Sequence, residues 1–193
     1  MIRRPPRSTL DRSSAASDVY KRQELGEATE YIDPPHWSRF KMLDDETGIT
    51  LRGEADGIFK LADGSYVIVD YKTSRYNPDR PGMFTNYEVQ LNSYALIAER
   101  LGLSPVSKLA LIYMEPATDK ETSSNSDLVD DRGFVMGFHA NVVQVELRVA
   151  CLLPPLLRKA RSIWDMEIPP KAARSCKDCA AVEGLLERWG RSA

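Results

Sequence analysis

The stretch Arg52–Thr73, RGEADGIFKLADGSYVIVDYKT, decides how the chain is read. Ala62-Asp63-Gly64-Ser65 is a tight turn, since Asp-Gly supplies the backbone freedom a hairpin needs. The run before it, within Ile49–Leu61, reads as one long strand. The run after it, Tyr66–Thr73, is the most β-branched and apolar in the chain and fits a buried central strand. Pairing the two across the turn lays Asp56 near Asp70. Lys72 follows Asp70 by two residues and so points to the same side of its strand. Two acids and a lysine interrupt the strand pair that looks most buried, and ionised groups in such a place need partners or a metal.

Outward from this hairpin, His36–Leu43 reads as a strand and Asp44–Gly48 as a turn. Glu24–Ile32 reads as the end of a helix stopped by Pro34-Pro35. Ser74–Asn86 is a loop. Tyr87–Gly102 reads as a helix, with Gln90 and Tyr94 four apart on one face. Lys108–Pro116 is a short apolar strand, and a helix between two strands implies a crossover with parallel pairing. Ala117–Gly133 reads as a polar loop and Phe134–Val145 as a last strand. Two helical segments follow, Glu146–Leu153 and one opened by Pro155. Arg158, Lys159 and Arg161 form a strip that reads equally as a solvated face or a phosphate contact. Trp164 and Trp189 read as core or helix anchors, and a short helix follows Cys179.

The bulk properties set the class. A chain of 193 residues supports one domain with a real core. No apolar run approaches the roughly 18 residues that span a membrane, and no secretion signal stands at the start, so a cytoplasmic protein is expected. The net charge of −2 mixes unlike parts: residues 1–23 hold six basic and two acidic residues, and the rest balances at −6. An acidic body binds nucleic acid only through a local basic face. Residues 1–23, rich in Arg, Ser and Pro, read as a disordered tail or a transit peptide. They most closely resemble translated sequencing-adaptor read-through. The native domain is then expected over 24–193, beginning near Glu24, with an upstream helix truncated.

The residues carry a chemistry. A phosphodiester repels nucleophiles, and Mg²⁺ or Mn²⁺ neutralises its charge and acidifies a bound water. Asp56 and Asp70 supply hard oxygen ligands, the carbonyl of Tyr71 a third, and Lys72 sits where it can position or deprotonate water. Gly53-x-x-Asp56, Asp70-x-Lys72 and Gln90-x-x-x-Tyr94, in that order on strand, strand and helix, resemble the motif series of the PD-(D/E)XK nuclease superfamily in its RecB-like exonuclease branch. The resemblance covers about Trp37 to Pro116.

It implies a restriction-endonuclease-like α/β core, a central mixed sheet flanked by helices in the order αβββαβ. It implies Asp56 and Asp70 as metal ligands, Lys72 as the catalytic lysine, Gln90 as its orienting partner and Tyr94 as a wall of the site. The substrate is expected to be DNA, cut in recombination, repair, phage replication or CRISPR adaptation. A helicase or another protein of such a complex is the expected partner. The alternative is the same fold, catalytically inactive, binding DNA within a complex. Alanine precedes Asp56, and neither Glu27, Glu30 nor His36 is carried over as the upstream ligand this family uses.

The cysteines form a separate question. Cys176-x-x-Cys179 resembles the C-terminal part of a [4Fe–4S] site, which needs four thiolates. A zinc site, no metal at all, and a small structural metal protein stay open beside it. Cys151, in an apolar helical stretch, reads as a buried small hydrophobe.

Overall fold

The structure is a computed structural model, and it describes residues 25–77, 84–125, 129–131, 133–168, 170–171 and 175–190. Residues 1–23 lie outside the described set, so the reading of that tail is not carried further.

Among the described residues, nine strands and four helices follow in chain order. They are β1 Ala28–Ile32, β2 Lys41–Leu43, β3 Thr50–Arg52, β4 Gly57–Leu61 and β5 Tyr66–Lys72, then α1 Phe84–Arg100 and β6 Val106–Pro116. After these come α2 Lys120–Ser123, β7 Val129–Asp130, β8 Gly133–Phe134, β9 Phe138–Val145, α3 Val149–Trp164 and α4 Lys177–Gly190. The main sheet has the order β1-β4-β5-β6-β9. All its neighbours pair antiparallel except β5 and β6, which run parallel because α1 carries the chain across between them. This is the central mixed sheet with flanking helices that the resemblance implies.

Side-chain alternation on the central strands splits the core in two. Ile58 and Ile68 pack with Leu91, Tyr94, Ala95 and Ala98 of α1. Phe59, Leu61, Val67 and Val69 face the opposite way, with Ala110 and Ile112 of β6. Asp70 and Lys72 share the parity of Ile68, so they lie on the face that α1 covers. Ile68 is fully buried, and burying such a side chain contributes about 1.5–3 kcal/mol. Asn92, also fully buried, pins the middle of α1 to the segment after β9. Its amide donates to the carbonyls of Glu88 (2.9 Å) and Glu146 (3.0 Å), and its Oδ1 accepts from the Arg148 N–H.

Several expectations are corrected. The helix end expected over Glu24–Ile32 is not formed from Leu25 onward, where the described residues begin. Ala28–Ile32 is strand β1, paired with β4, with Tyr31 against the Phe59 ring at 5.2 Å. Thr29, Tyr31 and Ile32 are β-branched or aromatic, and that preference outweighs the weak helical spacing. The long strand expected over Ile49–Leu61 is two. β3 pairs with β2 in a small separate sheet, and β4 joins the main sheet. The polar loop Ala117–Gly133 contains α2, and Phe134–Val145 is interrupted between β8 and β9. The two expected C-terminal helices are one, α3, which runs through Pro154 and Pro155. Cys151 is exposed, because α3 buries Leu153 and Leu157 and Cys151 falls off that face. Trp164 and Trp189 anchor nothing in the described chain, at 78% and 75% exposure.

Candidate active site

The site forms where the β4–β5 ladder gives out. Gly57 pairs with Val69, the last backbone pair of that ladder. Asp56 and Asp70 come next on either side. Asp56 extends the pairing with its side chain, its Oδ2 accepting the Tyr71 N–H at 3.0 Å. The two carboxylates are thus held close by one hairpin.

Asp70 is 4% exposed. Gln90 of α1 donates from Nε2 to its Oδ1 at 3.0 Å, and the same amide reaches Tyr94 Oη at 2.9 Å. The Lys72 ammonium forms an ion pair with Asp70 Oδ2. That buried oxygen has no aligned hydrogen bond. Burial pushes the Asp70 carboxyl above its ordinary value. Lys72 opposes the shift, and the neighbouring Asp56 charge adds to it. The Lys72 ammonium also lies 4.1 Å from the centroid of the Tyr87 ring, within cation–π range. Tyr113, opposite Lys72 in the β5–β6 register, stands against Tyr76 at 5.2 Å between ring centroids.

Gly53 explains its own place in the motif. A Cβ there would sit 2.2 Å from Cε1 of Tyr94. Only glycine lets the chain leaving β3 pass beneath that ring. Tyr94 is held on its other side by Phe40, edge to face at 5.8 Å. Gly53, Tyr94, Gln90 and Asp70 therefore form one continuous contact path from β3 to the buried acid.

Every residue expected at this centre is near it: Asp56, Asp70, Tyr71, Lys72, Gln90 and Tyr94. Sequence reading passed over Tyr87 and Tyr113. The spacing of Tyr87 three residues before Gln90 on one helix was the available signal for the first. Only the parallel register of β5 and β6 brings in the second. The donor set suits a hard divalent cation: two carboxylates, one of them buried, and a net negative balance once Lys72 is counted. No group of three or more His, Cys, Asp or Glu that could hold a metal gathers among the described residues.

The sequence carries three cysteines, and a [4Fe–4S] cluster takes four thiolates. Cys176 caps α4, its Sγ accepting the Cys179 N–H at 3.4 Å. The Cys179 thiol and N–H hold the Cys176 thiol below its ordinary value, and the same contact pushes Cys179 up. The Arg158–Arg161 strip is largely neutralised, Arg158 by Glu46 at 3.2 Å and Arg161 by a two-pronged pair with Asp165. No helix among the described residues is long and apolar enough to cross a membrane.

No curated protein matches the chain. Among solved structures it is similar to one described as "Crystal structure of SSO0001", at 16% identity and a TM-score of 0.38. The match covers 86% of this chain and 62% of that one, so the chain spans less than two thirds of that structure's length. A profile of the PD-(D/E)XK nuclease superfamily matches residues 7–183. With the mixed sheet, the crossover helix and the paired aspartates already in place, the chain belongs to the PD-(D/E)XK nuclease superfamily.

Proposed function

We propose that the protein is a metal-dependent deoxyribonuclease, and specifically an exonuclease, that hydrolyses DNA phosphodiester bonds at the Asp56–Asp70–Lys72 centre. Nucleases of this superfamily generally use divalent metals such as Mg²⁺ or Mn²⁺. The observation that carries the reading is Asp70: an acid 4% exposed, facing one ammonium and a second carboxylate. A structural ion pair gains little from being buried beside a further acid. A site that takes up a dication gains from it.

Asp56 and Asp70 would hold the metal, with the Tyr71 carbonyl as a third oxygen. Bound there, a metal would supply charge neutralisation and would acidify a water. Lys72, beside Asp70, would hold that water and offset negative charge on the phosphate. Gln90 keeps Asp70 oriented through its 3.0 Å donation, and Tyr94 fixes Gln90. Tyr87 shields the Lys72 ammonium from bulk water on one side.

The exonuclease assignment and a role in recombination, repair, phage or CRISPR-related DNA processing rest on the resemblance of the motif series to the RecB-like branch. The rival reading, an inactive DNA-binding module in a complex, draws on the count of only two described carboxylates. One experiment separates them. Linear and covalently closed circular DNA are incubated with the protein and with Lys72→Ala, in Mn²⁺ and in chelator. Mn²⁺-dependent loss of linear DNA alone, abolished in Lys72→Ala, is the expected result. Equal cleavage by both proteins removes the catalytic assignment, and binding without cleavage selects the inactive module.

A further inference from the structure

The small sheet of β2 and β3 carries a charge arrangement that folding does not explain. Lys41 and Arg52 are direct partners across the two strands. Both are exposed, on the face opposite Met42 and Leu51, which pack into the α1 core. Like charges facing each other across a strand pair oppose its formation. Arg39, exposed two residues before Lys41, adds a third cation. None of the three forms an ion pair among the described residues. The other arginines on this side, Arg158 and Arg161, do have carboxylate partners.

The Arg52 guanidinium is held in place besides. It lies 5.0 Å from the centroid of the Trp37 ring, which is itself 44% exposed and stands beside His36. An arginine stacked on an aromatic face is pre-organised, with its donors still directed outward. The patch is also close to the chemistry. Arg52 is followed by Gly53, which touches Tyr94, and the path continues through Gln90 to Asp70. The body of the chain is acidic, so a polyanion approaching this site must be met by a local cationic face. The Lys41–Arg52 face supplies one.

We infer that the exposed face of the β2–β3 hairpin, with Arg39, Lys41 and Arg52 ordered by Trp37, is a contact surface for the phosphate backbone of DNA leading into the Asp70 site. This rests on the nuclease reading above. Phosphates bound at this face would relieve what repulsion remains between Lys41 and Arg52. The face contacts phosphates and reads no base sequence.

The test measures DNA binding apart from cleavage. Anisotropy of a labelled DNA duplex is followed in Ca²⁺ at several salt concentrations, with the full chain and the Lys41→Gln/Arg52→Gln double variant. Two lost phosphate contacts lower the slope of log affinity against log salt by about 2, and affinity falls roughly tenfold per cation at ~0.1 M salt. The thermal midpoint of the double variant holds or rises, because a repulsion is removed. Lys41→Glu, which makes an opposite-charge pair with Arg52, raises the midpoint and weakens binding.

Wild-type affinity and slope in the double variant overturn the inference. So does an RNA duplex of the same sequence bound at least as tightly as the DNA. Cleavage in Mn²⁺ is recorded on the same preparations. A wild type that never cleaves, yet binds DNA through this face, removes the nuclease reading and leaves the surface standing. A double variant that cleaves and binds like wild type removes the surface and leaves the nuclease.

Discussion

Two hairpins follow each other between Lys41 and Lys72, and they treat charge in opposite ways. The β2–β3 hairpin sets cations side by side on an exposed face. The β4–β5 hairpin brings two carboxylates together at its end, one of them buried. Water screens the first arrangement, so its repulsion costs little and its cations stay ready for an outside anion. Little water reaches the second, so Asp70 draws in Lys72 and is left with a carboxyl pushed above its ordinary range. The difference teaches that depth, more than the sign of the charge, distinguishes the proposed contact surface from the proposed catalytic centre. Gly53 joins the two, with one neighbour on the exposed face and its own backbone beneath Tyr94.

The comparison breaks most visibly at Lys72. Removing a positioned proton-transfer group lowers rates by roughly 10²–10⁴, about 3–5 kcal/mol of barrier. Lys72→Ala is expected to lose cleavage on that scale, measured by single-turnover kinetics in Mn²⁺. Its DNA affinity is expected to change far less.

Next in size is the joint. A Cβ at Gly53 would overlap Tyr94 at 2.2 Å. Gly53→Ala is expected to cost about 1–3 kcal/mol, as overpacking does, read from urea unfolding. It should also lower cleavage by shifting Tyr94 off Gln90. Unchanged stability would mean that the ring moves freely and that the contact path from β3 to Asp70 is not a constraint.

The exposed hairpin sharpens the contrast with a smaller number. Lys41→Glu turns a repulsive cross-strand pair into an attractive one, a gain of about 0.2–1 kcal/mol, read as a rise in thermal midpoint that shrinks in high salt.

The smallest effect is in pH. Asp70 has a raised carboxyl in the fold, so it contributes stability that is complete below the ordinary value of 3.8 and is lost as pH rises through the folded value. Metal-free protein should therefore lose some stability as pH climbs just above the ordinary carboxylate range, and Asp70→Asn should flatten that slope. Asp63 behaves in the opposite sense. The Ser65 side-chain hydrogen bond, and then the Ser65 backbone N–H, hold it below its ordinary value, so its contribution is lost as pH falls. Thermal melts across the acid range in chelator distinguish the two.

Much of the centre was legible because it depends on local rules. The Asp-Gly turn and strand alternation place Asp56, Asp70 and Lys72 together without any knowledge of the rest. The helical spacing of Gln90 and Tyr94 puts both on one face. What was misread depends on partners. β1 looked helical because its spacing was weak and its partner β4 lies about thirty residues away. The break between β3 and β4 was hidden because Gly53–Asp56 reads as ordinary strand until Tyr94 is seen above Gly53. Cys151, Trp164 and Trp189 were expected to be covered, but their types record a preference for burial and not the face their helices turn inward.

By itself, then, the sequence determined which residues could share a side of a strand or a helix, because those periodicities are properties of the backbone. It set Asp56, Asp70 and Lys72 on one side of a hairpin, and Gln90 with Tyr94 on one side of a helix. Only the tertiary structure decided that these two sides face each other. The parallel crossover through α1 brings Gln90 to within hydrogen-bonding distance of Asp70, and the same packing withdraws that carboxylate from water. Burial is a property of what the rest of the chain places on top, so the upward shift of the Asp70 carboxyl does not exist until the helix has docked.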